Sequence, residues 1–416
     1  MPQTIEVVVR MTISDEDFDV NRLERRVREA RDQAGRELLV QALESLEEVA
    51  LENHTGSKRQ RQVERCLDTT LGPVVFRRWR VKEGPQTSCL LDPLLGLERH
   101  SRASPGLKKR ATELASRMTY REAATVLREE SGSRVSAQSV QAWVQPLGQR
   151  VEERELAAPE PSRPAPEVVV AEWDETMLRS QERGEEKFAV KLGIGYSQKE
   201  REGPKRWKLV DKVVYGGVEE TESFAQRFYA RVEGALSVQR AGHVVVKGDG
   251  AEWICQGAAQ VFPGHVFQLD RWHLLDRLVQ FAGSQPRLWK RLRRWVFEGR
   301  VQSLVRSLRM LVGADARSER ARQELLGYVT RHAEAITAVD QLRRQVSPQS
   351  RCLLTHGTGA MEKNVETVIG RRFKRWGMRW TRRGAQRLLK IRIWIARCGP
   401  TWFEALYSRG TQLTDA

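Results

Sequence analysis

Residues 167–174, EVVVAEWD, and residues 243–249, HVVVKGD, decide the fold. Each is a continuous β-branched run that closes on an aspartate. Such runs read as central strands buried on both faces. Working outward, KFAVKLGIGYS (187–197) and KRWKLVDKVVYGG (205–217) continue as a meander. ESFAQRFYARVEGAL (222–236) has the spacing of an amphipathic helix, GAEWICQGAAQVF (250–262) is a second helix, and HVFQLD (265–270) is a further strand. The order βββαβαβ predicts an α/β domain: a mixed sheet with helices on its faces.

From Arg271 to about His356 the pattern is helical and basic. Gly357 begins a short turn, MEKNVETVIGRRF (361–373) is a helix, and WTRRGAQRLLKIRIWIARC (380–398) is the last strong one. Upstream, VEERELAAPEPSRPAP (151–166) carries Pro159, Pro161, Pro164 and Pro166, which makes a stiff, extended linker and a domain boundary. Before it, Thr119 and Glu122 form a capping box ahead of Ala123, Ala124, Val126 and Leu127. That helix stops at Ser131-Gly132-Ser133. Ser136 caps a second, short helix, AQSVQAWVQ (137–145), which Pro146 ends. Helix, glycine turn and helix is a helix-turn-helix pattern, in which the start of the second helix meets base edges. Those residues are Ala137, Gln138 and Gln141, with Arg134 near a phosphate; an ordinary helical hairpin is the plain alternative. LGPVVFRRWRV (71–81) and CLLDPLLGL (89–97) predict a small hairpin, and residues 18–52 a long charged helix followed by a basic stretch, Lys58 to Arg65.

Composition narrows the function. The chain has 416 residues, 71 Lys and Arg against 54 Asp and Glu, a net charge of +17, and 40% hydrophobic residues. A globular protein this basic meets a polyanion, most often nucleic acid. No apolar run of about 18 residues is present, so no membrane helix is expected. MPQTIEVVVRMTISDEDFDV (1–20) lacks a basic region followed by an apolar stretch, so no secretory signal is expected. The five cysteines, Cys66, Cys89, Cys255, Cys352 and Cys398, are scattered without C-x2-C spacing, which argues against a zinc site or a disulfide framework. A reducing, cytoplasmic and nucleoid-associated location follows.

Three acids occupy places where catalytic carboxylates gather. Asp174 ends the first strand, Asp249 ends HVVVKG and opens the next helix, and Glu362 lies on the helix after the basic helical block. Hard divalent cations take oxygen ligands, and two such ions suit phosphodiester chemistry. At about 100° per residue, Val365, Val368, Ile369 and Phe373 define one apolar face. Glu362 falls nearer its centre than Glu366, which predicts that Glu362 faces inward. Glu366 stays an alternative to Glu362, and Glu172 and Glu175 compete with Asp174. The plain reading of either aspartate is a helix cap or turn residue.

GDGAEWI (248–254), LDRWH (269–273) and GAMEKNVETVIGRRFKRWGMRWTRRGAQRLLKIR (359–392) resemble bacterial insertion-sequence DDE transposases. The branch is the one related to Mutator-like elements, including the Kra- and Lre-type insertion sequences. LGPVVFRRWRV, DPLLGLERHSRASPGL (92–107) and YREAATVLREESGSRVSAQSVQAWVQ (120–145) look like that family's N-terminal region, so the likeness spans about residues 70 to 395. It implies a ribonuclease-H-like catalytic domain over 167–271 and 357–398, with a helical insertion over 272–356. Ahead of it come a helical region (1–66), a small β-containing segment (67–104), the helix-turn-helix region (105–150) and the linker (151–166); 399–416 is a tail. It also implies a metal-binding triad at Asp174, Asp249 and Glu362 for Mg²⁺ or Mn²⁺, two ions per site, with Asp270 and His273 in support.

The implied activity is that of a transposase that binds the ends of its element and cleaves and transfers DNA strands, working as a dimer or larger oligomer on element ends and target. A stand-alone nuclease of the same fold and a non-catalytic DNA-binding derivative are the rivals. Basic residues cluster where DNA would lie: eight against one acid over 287–309, and twelve against two over 362–397. Arg293, Arg294, Arg371, Arg372, Lys374, Arg375, Arg379, Arg382 and Arg383 are the expected phosphate contacts. Trp289, Trp295, Trp376, Trp380 and Trp394 are interleaved with them; the plain reading places most of these in the core, Trp394 above all.

Overall fold

A computed structural model describes residues 4–54, 58–83, 86–155, 165–204 and 206–407. The chain forms two compact units, Met1–Leu147 and Gly148–Ala416.

The first unit opens with α1 (Val20–Glu52), capped by Asp19. Next come three antiparallel strands, β1 (Lys58–Thr69), β2 (Gly72–Glu83) and β3 (Gln86–Ser88). β1 pairs with β2 from Lys58↔Lys82 to Thr69↔Gly72. β3 reaches only Val81–Glu83 of β2. Elsewhere along β2, Glu44 and Glu47 of α1 accept the N–H groups of Arg77 (3.2 Å) and Trp79 (2.7 Å). Unpaired strand N–H groups are thereby satisfied and the edge is covered.

This corrects the expected hairpin. The partner of 71–81 precedes it, so β structure begins at Lys58 inside the supposed helical region, and CLLDPLLGL contributes the short helix α2 (Leu91–Leu94). The reason lies at Arg65. It takes an inward position among Leu67, Val74 and Phe76, its guanidinium bonded to Asp92 (2.7 Å) and to the carbonyls of Glu98 (2.8 Å) and Ser101 (3.0 Å). A buried, satisfied arginine hides the apolar alternation of β1. Asp92 also takes Arg78.

The unit is completed by α3 (Pro105–Ala115), α4 (Tyr120–Ser131) and the part of α5 (Ala137–Glu155) up to Leu147. The Thr119–Glu122 capping box is present, and α4 stops at Gly132, whose φ of +68° favours glycine. α5 does not end at Pro146 but runs through it to Glu155, so residues 151–155 of the expected linker are helical. Pro159, Pro161 and Pro164 lie outside the described residues.

The second unit is built on a mixed sheet. Its strands are β4 (Val168–Ser180), β5 (Lys187–Tyr196), β8 (Val213–Gly217), β9 (His243–Gly248) and β10 (Val266–Leu269). Their spatial order is β10-β9-β4-β5-β8, with the two-residue β11 (Arg379–Trp380) against the end of β4. β4, β5 and β8 are antiparallel neighbours, while β9 and β10 run parallel to β4. KRWKLVDKVVYGG is not one strand. Its first half, β7 (Arg206–Val210), leaves the sheet to pair with β6 (Gln198–Gly203) as a separate ribbon.

α6 (Thr221–Leu236) and α7 (Glu252–Val261) cover one face. There Trp173 packs edge-on to Phe224 and Phe228, with ring centres 5.4 and 5.3 Å away. After β10 come α8 (Arg271–Ala282), α9 (Pro286–Phe297), α10 (Val301–Met310), α11 (Ala316–Arg331) and α12 (Ala338–Leu342). α8 to α11 share a core that includes Leu278, Leu292, Leu308 and Val329. In α9 the buried residues Leu288, Leu292 and Val296 fall every fourth position, which turns the basic residues outward.

The chain returns through α13 (Gly359–Asn364), a π-helix (Val365–Lys374) and α14 (Arg382–Cys398). Arg392 of α14 donates to the carbonyls of Thr367 (2.6 Å) and Val368 (2.8 Å) in the π-helix. The expected tail contains α15 (Trp402–Tyr407); residues 408–416 lie outside the described set. Among the described residues no helix is long and apolar enough to cross a membrane.

Asp92→Ala leaves two arginines in the first unit without their shared carboxylate. Removing one partner of a buried ion pair costs about 3–5 kcal/mol. Urea unfolding should register a loss of that size; a loss below about 1 kcal/mol, the worth of an exposed pair, would show that the cluster is solvated.

Candidate functional site

The β4–β9 register builds the site. Its last paired residues are Glu172↔Lys247. Asp174 and Asp249 each lie two residues further on, so the same ladder sets them level at the place where the two strands part. β10 adds a third acid: Leu269 pairs with Gly248, and the Asp270 N–H donates to the Gly248 carbonyl (2.8 Å).

Asp174 was expected to end its strand. Instead β4 continues to Ser180 against β5, and only the β9 side opens at Asp174. The carboxyl of Asp174 is raised to about 6, first by burial and then by the charge of Asp249. The Glu175 N–H, which donates to its Oδ1 (2.8 Å), and nearby His273 act in the opposite direction.

Asp249 Oδ1 accepts the Ala251 N–H (2.8 Å), turning the chain into α7. The turn needs Gly250. Its φ is +84°, and a Cβ there would lie 2.9 Å from His332 Nε2 and 2.9 Å from Leu269 Cδ1. Two residues from the end of α11 close over this turn. Tyr328 donates its hydroxyl to the Asp249 carbonyl (2.5 Å), and His332 is buried with its Nε2 unsatisfied. Burial lowers the His332 pKa, favouring neutral imidazole. The sequence reading missed both residues.

Asp270 is buried and fully engaged. It caps α8 through the Trp272 N–H (2.8 Å) and accepts the hydroxyl of Thr358. His273 Nε2 lies 4.0 Å from its Oδ2 and the ring is partly exposed. Trp272, which the sequence reading passed over, is 65% exposed beside them.

Glu362 is not where its helical phase was expected to put it. It is exposed, while Met361 and Asn364 on either side are buried. The apolar face was projected at 100° per residue, but from Val365 onward the helix is π, with i→i+5 bonding, so the phase does not carry back. Glu366 is exposed as well and lies 3.7 Å from Arg371.

A buried pair fixes the neighbourhood of Glu362. Glu172 accepts the Tyr196 hydroxyl at Oε1 (2.5 Å) and the Met361 N–H at Oε2 (3.1 Å). Lys247 Nζ lies 3.7 Å from Glu172 and donates to the Leu353 carbonyl and Thr355 Oγ1, both at 3.0 Å. Glu172 is therefore a positioning residue rather than a substitute for Asp174. Glu175 is exposed.

The oxygen donors of Asp174 and Asp249 fit a hard divalent cation, and the burial and repulsion at Asp174 are what such a charge would relieve. Glu362 does not join them: among the described residues no three of His, Cys, Asp and Glu converge tightly enough to hold an ion.

Of the expected DNA contacts, Arg134, Gln138, Gln141, Arg293, Arg294, Arg375, Arg379 and Arg383 are exposed. Arg372 is buried against the Trp380 ring (4.9 Å), so it is not a surface contact. Arg371 lies near Glu366, Lys374 donates to Thr176, and Arg382 pairs with Glu185. Trp380 and Trp394 are buried and Trp289 and Trp295 are partly buried, which removes the first two as stacking faces. The Trp376 side chain lies outside the described set.

A family model described as "Uncharacterised protein family (UPF0236)" matches residues 13–404, and the chain belongs to that family. It is similar to a UPF0236 protein of Caldanaerobacter subterraneus subsp. tengcongensis, 23% identical over 384 residues, covering 90% of this chain and 78% of the relative. Another relative from that strain, also 23% identical over 384 residues and with the same coverage, has a name that joins eleven locus designations. A third, "UPF0236 protein in vanSb 3'region" of Streptococcus gallolyticus, is 25% identical over 361 residues, covering 84% of this chain and 77% of the relative.

Two expectations follow. Lys247→Met leaves Glu172 buried without its cation and should cost about 3–5 kcal/mol, much of it recovered in Glu172→Gln/Lys247→Met. Equal, additive losses in urea unfolding would mean that the two do not act as a pair.

The second concerns pH. The folded pKa of Asp174 lies above its ordinary 3.8, so the folded state holds the proton more tightly. Its ionisation therefore penalises the fold above about pH 6, and the penalty disappears as pH falls toward 3.8. Asp174→Asn should stabilise by about 2 kcal/mol at pH 8 and by little at pH 4. The same gain at both would assign it to packing.

Proposed function

We propose that the chain is a DDE-type DNA transposase with a ribonuclease-H-like catalytic domain. The observation that carries this reading is the β4–β9 register, which brings Asp174 and Asp249 level at the parting of two parallel strands. The sheet order β10-β9-β4-β5-β8, with three antiparallel strands and two more parallel to the first, is compatible with a ribonuclease-H-like sheet and supports this reading. So does the helical block between β10 and α13. A relative's name that spans eleven loci of one strain fits a sequence that copies itself.

Asp174 and Asp249 would hold the divalent cations, Mg²⁺ or Mn²⁺, and Glu362, which stands apart from them in this structure, would have to turn toward them to serve as the third carboxylate. Such ions, when bound, would supply Lewis acidity for a nucleophilic oxygen and charge stabilisation for the leaving oxygen at phosphorus. Asp270 and Thr358 hold the start of α8 against the returning chain, which places His273 beside the carboxylates. Tyr328 fixes the Asp249 backbone, and Glu172 fixes Met361 next to Glu362. The exposed Gln138 and Gln141 at the start of α5 suit base edges, and Arg134 suits a phosphate. Double-stranded DNA, as element ends and as target, is the partner. Paired ends call for a dimer or larger assembly.

The exposed position of Glu362 favours a second reading, a DNA-binding derivative without catalysis. One experiment separates them. Duplexes carrying the flanks of the gene are incubated with Mg²⁺ or Mn²⁺ and either wild type or Asp249→Asn. The transposase reading expects cuts at discrete flank positions by wild type alone, with binding by the variant within a few-fold. Binding without cutting by either protein favours the second reading, and equal cutting by both removes Asp249 from the chemistry.

A further inference from the structure

In the first unit the β1–β2 register sets Lys58 opposite Lys82 and Arg61 opposite Arg80. Like charges directly opposite across strands destabilise a sheet. All four side chains are exposed, and among the described residues none has an acidic partner.

The nearby carboxylates are already engaged. Glu44 and Glu47 accept β2 N–H groups, Glu48 pairs with Arg59 (3.4 Å), Glu64 lies 3.8 Å from Arg77, and Asp92 takes Arg65 and Arg78. The pairing register shifts between Arg59 and Arg61, an irregularity of the kind that re-aims side chains. Arg59, on the far side of it, lies over the Trp79 ring (5.6 Å). The four unneutralised cations thus form two cross-strand rows at one end of the ribbon.

We propose that this end of the β1–β2 ribbon is a docking surface for the phosphate backbone of duplex DNA, separate from the helix pair α4–α5. Two residues along a strand advance about 6.8 Å. Arg80 and Lys82 therefore present their rows at a spacing comparable to two steps of one DNA strand, at 3.4 Å each. A polyanion with charges at such intervals neutralises both rows at once and offsets the repulsion between them. The contact carries no sequence information, because phosphates position a protein without specifying bases.

The surface does not depend on the carboxylate chemistry, and its test uses binding alone. Full-length protein is titrated with a fluorescent duplex of scrambled sequence over a range of salt, by anisotropy, without divalent ions. Each phosphate contact contributes about 0.9 to the slope of log K against log salt, so Arg61→Gln/Arg80→Gln should lower that slope by about 2. The same variant, free of DNA, should melt no lower than wild type, because a like-charge pair is gone. Arg61→Lys/Arg80→Lys keeps the charges and should keep the slope.

An unchanged slope in the glutamine variant, or a lost slope in the lysine variant, overturns the proposal. So does a glutamine variant that melts well below wild type, since the pair would then be structural. Vesicles of phosphatidylcholine and phosphatidylserine that bind with the same dependence on Arg61 and Arg80, where duplex does not, would make the partner a membrane surface instead. Cleavage can fail in the Asp249→Asn comparison without touching any of these readings.

Discussion

The second unit depends on one buried ion pair. Glu172 and Lys247 are opposed across the parallel strands β4 and β9, and both are almost wholly inaccessible to water. Two charges removed from water persist only when hydrogen bonds satisfy what remains of them. Here Tyr196, Leu353, Thr355 and Met361 supply those bonds. The partners come from β5, from the segment between α12 and α13, and from α13. Desolvation therefore couples three separate parts of the chain to the centre of the sheet. Asp174 and Asp249 are the residues two places beyond the pair, so their positions follow from it.

The sheet was legible because its central strands are unbroken β-branched runs. Trp173 and Asp174 then face opposite ways by the alternation of a strand, one into the aromatic cluster and one toward the site. The capping box at Thr119 was legible because its signature is local. β1 was not, because Arg65 occupies a core position and its compensation comes from Asp92, 27 residues away. The place of Asp249 just past the end of a buried strand was legible from HVVVKGD. Tyr328 was not, because it meets Asp249 across 79 residues and only tertiary packing brings them together. Glu172 was read as a rival to Asp174 because the strand pattern gives both the same face. The bond to Met361, 189 residues on, is what separates their roles.

The net charge of +17 also needs dividing. Lys247 and Arg372 are buried, and Lys390 pairs with Glu155 (3.0 Å) over the Tyr215 ring. Arg392 secures carbonyls of the π-helix, and Arg271 donates to the Ile336 carbonyl. A share of the cations thus does structural work that an acid count conceals. The basic runs of the second unit overstate its free positive surface, whereas α9 turns its basic side chains outward.

Asp174 and Asp249 raise the opposite problem. Two carboxylates brought together with one of them half-buried repel, and a surface loop would relax to separate them. Here it does not, because Asp174 sits within a strand paired on its other side as far as Arg179, and Asp249 within a turn fixed by Gly250, Ala251 and Tyr328. The repulsion is stored by a framework that is over-determined elsewhere, chiefly by Glu172 and Lys247. A fold that invests a buried ion pair two residues before a repulsive one concentrates negative potential at a chosen point of an otherwise basic protein. Packing alone gives no reason for that arrangement; a divalent cation, and a phosphate drawn by the surrounding positive charge, would supply one.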